Sequence, residues 1–209
     1  MYMGVKERRK REKEQRRQQI LDVARELCMR KSYFEVRMEE IAEGAEVAIG
    51  TLYLYFQNKD EIYATLCEEG LDILNRLIEE ALQEKKDSQA RLEAIGRSYL
   101  TFYAEYGSYY DVLSFVGMGF KQIGLSRELE TRITQKSDAA IARLETVVRE
   151  GMEAGEITGG DSKEVAFFLW GLLEGLIFIH RRGYMNAWSV DLASTSTKAM
   201  DAINRGISG

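Results

Sequence analysis

Three hydroxyl-bearing side chains and one ammonium group follow one another near the start of the chain, at Thr51, Tyr53, Tyr55 and Lys59. Hydroxyl groups donate hydrogen bonds to phosphates and bases, and the threonine methyl group can also contact thymine. A lysine at the start of a helix favours a phosphate, because its charge adds to the positive end of the helix dipole. Side chains of these types can contact nucleic acid, although both tyrosines could instead pack in a core.

Residue types that carry out catalysis are sparse in this chain of 209 residues. His180 is its one histidine, so neither a histidine-based metal site nor a Ser-His-Asp triad can be assembled. The two cysteines, Cys28 and Cys67, stand within amphipathic patterns rather than at the paired spacing of a zinc site. We therefore expect a protein that is not an enzyme and has no metal and no cofactor. An enzyme that uses a pair of carboxylates is the alternative.

The hydroxyl-bearing residues lie where two short helices and a tight turn are predicted, over residues 37–44 and 48–55. In each helix, apolar residues recur at spacings that give one small buried face. These residues are Ile41, Ala42 and Ala45 in the first helix, and Leu52, Tyr53 and Phe56 in the second. Such a pair buries too little to fold alone, but it suits a helix-turn-helix whose second helix enters a DNA major groove.

This stretch resembles the N-terminal DNA-binding motif of the TetR (tetracycline repressor) family. The family pattern reads Ile-Ala, then Ala-Gly-Val-Ser, then Gly-Thr-Leu-Tyr-x-Tyr-Phe-x-x-Lys, and it is matched specifically over about residues 37–62. Two positions depart from the pattern, since Glu46 stands for the turn glycine and Ala48 for the serine N-cap. A left-handed Glu46 and a missing N-cap hydroxyl would each cost about 1 kcal/mol.

The resemblance implies that the second helix of this motif is the recognition helix. Gly50 would let the backbone approach DNA closely, Tyr55 is expected to face DNA, and Tyr53 is expected to reach a phosphate from the edge of the core. The predicted DNA-contacting residues are Arg37, Ala48, Ile49, Gly50, Thr51, Tyr53, Tyr55 and Lys59.

Basic residues are concentrated at the N-terminus. Residues 1–17 contain eight basic and three acidic residues, a net charge of +5, which leaves −10 for the rest of the chain. They form the first part of a helix predicted over residues 5–31, whose first turns are expected to fray. Their cations can contact phosphates or enter the minor groove, which would make DNA binding salt-dependent. A solvated charged tail is the alternative.

Proline is absent from the sequence, which favours long uninterrupted helices. Further helices are predicted over about 59–85, 87–106, 108–115 and 126–155, from Ser162, and over about 189–205. Asn58 and Glu61 have the spacing of a capping box at the start of the first of these. We therefore predict an all-α protein, with a DNA-binding three-helix bundle over residues 1–58 and a ligand-binding and dimerisation domain over residues 59–209.

The chain gives no sign of secretion or of a membrane segment. Its N-terminus begins with charges rather than with the apolar run of a signal peptide. The most apolar stretch, residues 165–179, is shorter than the roughly twenty apolar residues of a membrane span. We therefore expect a cytoplasmic protein without membrane contact.

The densest aromatic group lies over residues 99–120. Five of its members fall at i, i+3, i+4, i+7 and i+11 and are expected to share one inward face. Buried tyrosine hydroxyls need partners, which a ligand, water or one another could supply. The resemblance favours a pocket for a small, often hydrophobic molecule. The predicted ligand-binding residues are Tyr99, Phe102, Tyr103, Tyr106, Tyr110, Met118 and Phe120.

The helix that begins at Ser162 is apolar on nearly its whole circumference, which is typical of a helix buried on every side. In a chain of this size, one side would pack on its own subunit and the other on a second copy. The last helix would join it in a four-helix dimer interface, as the resemblance implies. The predicted interface residues are Phe167, Trp170, Gly171, Glu174, Gly175, Phe178, Met200 and Ile203.

These observations lead to the hypothesis of a ligand-responsive transcriptional regulator. It would bind a palindromic operator in double-stranded DNA as a homodimer, and it would act as a repressor that a small hydrophobic or aromatic effector releases. The alternatives are a transcriptional activator, a constitutive DNA-binding protein and a small-molecule-converting enzyme.

Overall fold

The computed structural model describes residues 4–31, 33–83, 87–117 and 126–207. Within these ranges the chain forms ten helices and no β-strand, which confirms the predicted all-α class. The helices are α1 (Val5–Arg30), α2 (Met38–Gly44), α3 (Ile49–Leu52), α4 (Lys59–Leu82), α5 (Ser88–Glu105), α6 (Gly107–Gly117), α7 (Arg127–Glu153), α8 (Ser162–Arg181), α9 (Tyr184–Ala187) and α10 (Leu192–Ile207).

The helix bounds agree with the sequence patterns except at short elements. Helix α3 ends at Leu52 rather than near residue 55, and the four-residue helix α9 is not predicted. Such short helices carry too few apolar positions to show a periodicity. Helix α1 begins at Val5, so the basic N-terminal residues form its first turns.

The chain forms two compact units. The first comprises Met1–Leu71 and Tyr106–Thr134, and the second comprises Asp72–Glu105 and Gln135–Gly209. The first unit therefore contains the helix-turn-helix together with α6. The predicted functional boundary after residue 58 stays a prediction.

The core of the first unit joins α1 to the helix-turn-helix. Ile20 and Leu21 of α1, Ile41 of α2 and Leu52 of α3 are fully buried. Gly44 brings α2 close to α1, because a Cβ atom at this position would lie 2.6 Å from Cγ1 of Val23. Its role is therefore close packing against α1.

The core of the second unit is built around one side of α8. Ala166, Leu169, Leu173 and Ile177 recur at i, i+3, i+7 and i+11 and are all buried. Asp161 is the N-cap of this helix, since its carboxylate accepts a hydrogen bond of 2.7 Å from the Lys163 N–H. The opposite side of α8 is exposed in the single chain.

Candidate nucleic-acid interface

The turn between α2 and α3 passes through Glu46, whose φ is 53°. Glu46 therefore has the left-handed conformation for which the sequence analysis gave a cost of about 1 kcal/mol. The Glu46 N–H donates to the Glu43 carbonyl at 3.0 Å, and the Val47 N–H donates to the Ala42 carbonyl at 2.9 Å. The turn therefore keeps its hydrogen bonds, although the backbone of Glu46 has a conformation that costs any residue other than glycine about 1–2 kcal/mol.

We expect the substitution Glu46→Gly to raise the free energy of unfolding by about 1 kcal/mol, because glycine adopts this conformation without steric cost. Urea denaturation measures this change. Glu43→Gly is the matched control, since Glu43 is an exposed residue inside α2 and should lose about 1 kcal/mol through lower helix propensity. Destabilisation by both variants would contradict strain at Glu46.

Helix α3 presents mostly small side chains to solvent. Ala48 is its N-cap, has an extended backbone and makes no side-chain capping bond, as predicted from the missing serine. Ala48, Ile49 and Gly50 are exposed, and Thr51 is half-buried. Nothing lies within 4 Å of a Cβ atom built on Gly50, so the space in front of it is open. A DNA backbone can therefore approach α3 closely.

The two tyrosines that follow Leu52 differ in exposure. Tyr53 is 48% exposed, whereas Tyr55 is half-buried. The predicted contacts of Tyr55 with DNA and of the Tyr53 hydroxyl with a phosphate stay predictions. The sequence pattern also missed two exposed large apolar side chains of the first unit. Leu54 stands between the two tyrosines and is 79% exposed, and Phe34 is 72% exposed.

Lys59, the first residue of α4, is held inside the first unit. Its ammonium group donates to the carbonyls of Tyr33 at 2.6 Å and Val36 at 2.8 Å, and lies 4.2 Å from the centre of the Tyr33 ring. Burial lowers the pKa of Lys59. The side chain therefore holds the loop before α2 in place. Because its ammonium group is engaged there, we expect the phosphate contact predicted from the sequence to contribute little to DNA binding.

The start of α4 is capped as predicted, with a small shift. The Asn58 side chain accepts a hydrogen bond of 2.8 Å from the Glu61 N–H. The Glu61 carboxylate accepts one of 2.7 Å from the Gln57 N–H, one residue before the cap. Two backbone donors at this helix end are thereby satisfied.

We expect Lys59→Met to lower the free energy of unfolding by about 2 kcal/mol, because two loop carbonyls lose their charged donor. The dependence of operator affinity on salt should stay as in the wild type. Lys10→Met is the matched control, because Lys10 is an exposed residue of α1 and should lower the salt slope by about 0.9 without a loss of stability. A lower salt slope in Lys59→Met at unchanged stability would instead support the phosphate contact.

The basic residues at the start of α1 are exposed as far as Arg16. Their one described ion pair joins Arg8 to Glu12 at 3.5 Å, and an exposed pair of this kind contributes little stability. Arg17 is different, because its guanidinium group lies 5.0 Å from the centre of the Phe56 ring and donates to the Thr65 hydroxyl at 3.4 Å. The exposed part of the helix is therefore available to phosphates, whereas Arg17 packs inside the first unit.

Arg37 lies at the N-terminus of α2 and is exposed. Its N–H donates to the Glu40 carboxylate at 3.1 Å, and the same carboxylate forms an ion pair of 2.5 Å with Lys31. The Arg37 guanidinium group is 4.0 Å from Glu40. It can therefore reach outward from the helix end.

The predicted effector-binding residues do not share one helix face. Helix α5 ends at Glu105 and α6 begins at Gly107, so the helical spacing between Tyr103 and Tyr110 is interrupted at Tyr106. The expectation of a common face was therefore wrong. Met118 and Phe120 lie outside the described residues.

Three of these aromatic residues lie in the second unit. The Tyr99 hydroxyl hydrogen-bonds the Glu174 carboxylate of α8, and Phe102 is fully buried. The Tyr103 ring meets the His180 ring edge-on, with 6.1 Å between their centres. This places aromatic rings beside a carboxylate and an imidazole between α5 and α8. Tyr106 and Tyr110 belong to the first unit, where Tyr110 is buried.

The predicted dimer residues lie on α8 and α10 and differ in exposure. Phe167 and Phe178 are 53% and 56% exposed, and a Cβ atom on Gly171 or Gly175 would have nothing within 4 Å. Trp170, Glu174 and Ile203 are half-buried, and Met200 is buried in its own chain. Further large apolar side chains are exposed in and after α8: Phe168, Ile179, Tyr184, Trp188 and Val190.

Two other features are absent from the part of the chain that the structure describes. No cluster of three or more His, Cys, Asp or Glu side chains suited to a metal ion is found there. Within the same ranges, no helix is long and apolar enough to cross a membrane.

An all-α chain with a helix-turn-helix and a basic first helix defines a DNA-binding regulator. Residues 20–66 match the model of the bacterial regulatory proteins of the tetR family, and residues 85–178 match that of the tetracyclin repressor-like C-terminal domain. The chain belongs to the TetR family of transcriptional regulators. It is a ligand-responsive DNA-binding regulator, which confirms the function predicted from the sequence.

Similar proteins cover most of the chain. The fatty acid metabolism regulator protein of Bacillus subtilis (strain 168) is 26% identical over 190 residues, which are 90% of this chain and 94% of that protein. The crystal structure of the transcriptional regulator FadR from Bacillus subtilis in complex with stearoyl-CoA has a TM-score of 0.71 at 26% identity and covers 91% of this chain and 98% of that chain. The HTH-type transcriptional activator FasR of Mycolicibacterium smegmatis is 31% identical over 90 residues, 43% of this chain and 41% of that protein.

Proposed function

We propose that the protein is a cytoplasmic, homodimeric repressor that a long-chain acyl-CoA releases from a palindromic operator. The observation that carries this proposal is the similarity, over 90% of the chain, to a fatty acid metabolism regulator of Bacillus subtilis. The similar FadR structure from that organism contains stearoyl-CoA. The test is whether acyl-CoA thioesters release bound operator while coenzyme A alone does not.

The aromatic residues between α5 and α8 support an effector of mixed polarity. Phe102 is an apolar side chain buried on α5, and burial of an acyl chain contributes about 0.8 kcal/mol per methylene group. Tyr99, Tyr103 and His180 add hydroxyl and imidazole groups beside it. The His180 Nδ1 atom is buried without a hydrogen-bond partner in the described part of the chain. A thioester has an apolar chain and a polar carbonyl, which matches this combination.

The first unit supports binding to double-stranded DNA through few base contacts. Helix α3 offers Ile49, Gly50 and Thr51, followed by the exposed Tyr53. These residues contain no bidentate base reader, so phosphate contacts from the basic part of α1 supply much of the affinity. Two copies would place their α3 helices in successive major grooves about 34 Å apart, which requires a palindromic operator.

The exposed side of α8 supports the homodimer. A contiguous apolar surface on a soluble chain marks an interaction site, and two glycines one turn apart allow two helices to approach closely. Glu164 and Arg182 are exposed near opposite ends of this side. In an antiparallel pair of α8 helices, each Glu164 would lie near Arg182 of the second copy, so that unlike charges meet at both ends.

A transcriptional activator is the second candidate. It is favoured by the 31% identity to FasR, which is named an activator, over 90 residues. In vitro transcription from a promoter that contains the operator separates the two functions. A repressor lowers the transcript yield and acyl-CoA restores it, whereas an activator raises the yield.

A further inference from the structure

Tyr109 of α6 forms hydrogen bonds with two other helices of the first unit. Its hydroxyl donates to the Glu69 carboxylate of α4 at 3.0 Å and accepts a hydrogen bond of 2.7 Å from the Arg25 guanidinium group of α1. Arg25 also donates to the Asp22 carboxylate one turn earlier, at 2.8 Å. One buried phenol group thus connects α1, α4 and α6.

The Tyr109 ring is fixed as firmly as its hydroxyl. Tyr109 is 8% exposed, and the Arg25 guanidinium group lies 5.1 Å from the centre of its ring. A Cβ atom on Gly70 of α4 would lie 3.1 Å from the Tyr109 Cβ and 3.4 Å from the Leu113 Cδ1. Glycine at position 70 therefore lets α4 and α6 pack closely, directly beside Glu69.

The groups around Tyr109 form a balanced set of charges. Arg25 is positive, Glu69 and Asp22 are acidic, and Arg17 is near enough to Glu69 to act on its charge. Burial raises the pKa of Glu69, while the Tyr109 hydroxyl and the two arginines act in the opposite direction. Hydrogen bonds to charged groups in such a place are stronger than those between neutral groups, so α6 cannot shift against α1 without losing strong bonds.

The position of α6 in the chain gives this connection a direction. Helix α6 directly follows the segment that holds Tyr99, Phe102 and Tyr103, and Tyr110 is the residue next to Tyr109. Helix α1 carries the basic residues and the core residues Ile20 and Leu21, on which the helix-turn-helix packs. A displacement that enters α6 therefore reaches the DNA-binding helices through the bonds of Tyr109.

We infer that Tyr109 is the residue that transmits effector binding to the DNA-binding helices, through its bonds to Arg25 and Glu69. This inference rests on the proposed function, because it assigns a regulatory role within an effector-released repressor. Tyr109 is a positioning residue, since it acts through Arg25 and Glu69.

The test compares the wild type with Tyr109→Phe, which keeps the ring against Gly70 and removes the hydroxyl. Operator affinity without effector should stay within about twofold, whereas the factor by which stearoyl-CoA weakens it should fall about fivefold or more. Glu69→Gln should act in the same direction, because the amide is a weaker partner for Arg25 and Tyr109. Tyr63→Phe is the control, since Tyr63 is buried on α4 in the same unit and should respond as the wild type.

A second arm of the experiment needs no effector, because coupling between two sites is reciprocal. Operator DNA should change the hydrogen-exchange protection of the Tyr109 and Tyr110 amides in the wild type, and this change should be lost in Tyr109→Phe. If stearoyl-CoA fails to release the wild type, the proposed effector is wrong and the exchange arm still decides the role of Tyr109. Unchanged exchange in wild-type α6, or wild-type behaviour of Tyr109→Phe, overturns the inference.

Discussion

Saturating stearoyl-CoA should raise the dissociation constant of the operator complex about tenfold to a hundredfold. An effector shifts the equilibrium by the ratio of its affinities for the two conformations of the protein, and such coupling usually amounts to 1–3 kcal/mol. Fluorescence anisotropy of a labelled operator, selected from random duplexes by the protein itself, measures the change. This result would establish the class of effector.

The length of the acyl chain provides the internal control for this prediction. Each buried methylene contributes about 0.8 kcal/mol, so two methylenes change effector affinity by about tenfold where the chain is fully buried. Stearoyl-CoA should therefore act at far lower concentration than butyryl-CoA, and coenzyme A alone should not release the operator. Equal potency of coenzyme A and stearoyl-CoA would contradict recognition of the acyl chain. Release by free stearate alone would show that the thioester is not needed.

The variant Gly171→Leu should be a well-folded monomer that binds the operator at least about a hundredfold more weakly. Nothing lies within 4 Å of a Cβ atom on Gly171, so the single chain has room for the new side chain. Leucine also has a helix propensity roughly 1 kcal/mol better than that of glycine. Between two α8 helices, however, the side chain would prevent close approach. Without the dimer, the gain of about 10²–10⁴ from simultaneous binding of two half-sites is lost.

Light scattering after size-exclusion chromatography measures the mass of this variant, and thermal unfolding measures its stability. Ala142→Leu is the matched control, because it adds a leucine at an exposed position inside α7, outside the proposed interface. The control should remain a dimer with wild-type operator affinity. A dimeric Gly171→Leu protein with full operator affinity would place the interface elsewhere.

The sequence was sufficient to predict the DNA-binding motif because the motif is local. Ile41, Ala42 and Ala45 bury one face of a helix through their spacing alone, and all three are buried in the structure. Glu46 could be singled out because it stands where the family pattern has the turn glycine, and its backbone is left-handed in the structure. The uncapped Ala48 follows from its missing hydroxyl group.

Contacts between distant residues could not be predicted in this way. The carbonyls that hold Lys59 belong to residues 23 and 26 positions earlier, and nothing in the spacing of the sequence indicates them. The bonds of Tyr109 span 84 positions to Arg25 and 40 positions to Glu69. The expectation of one aromatic face was wrong for a local reason. Tyr106, between α5 and α6, is not helical, so the helical spacing before it does not continue after it.

The first compact unit is discontinuous in sequence, which has a consequence for biosynthesis. Its two segments, Met1–Leu71 and Tyr106–Thr134, are separated by residues that belong to the second unit. A ribosome therefore releases the helix-turn-helix long before it releases the helix that packs against α1. A domain folds as a unit once its segments are available. The nascent chain should therefore acquire DNA affinity only after Thr134 has been synthesised and has left the exit tunnel of the ribosome. For the same reason, a chimera that exchanges DNA specificity with a relative should carry both segments together.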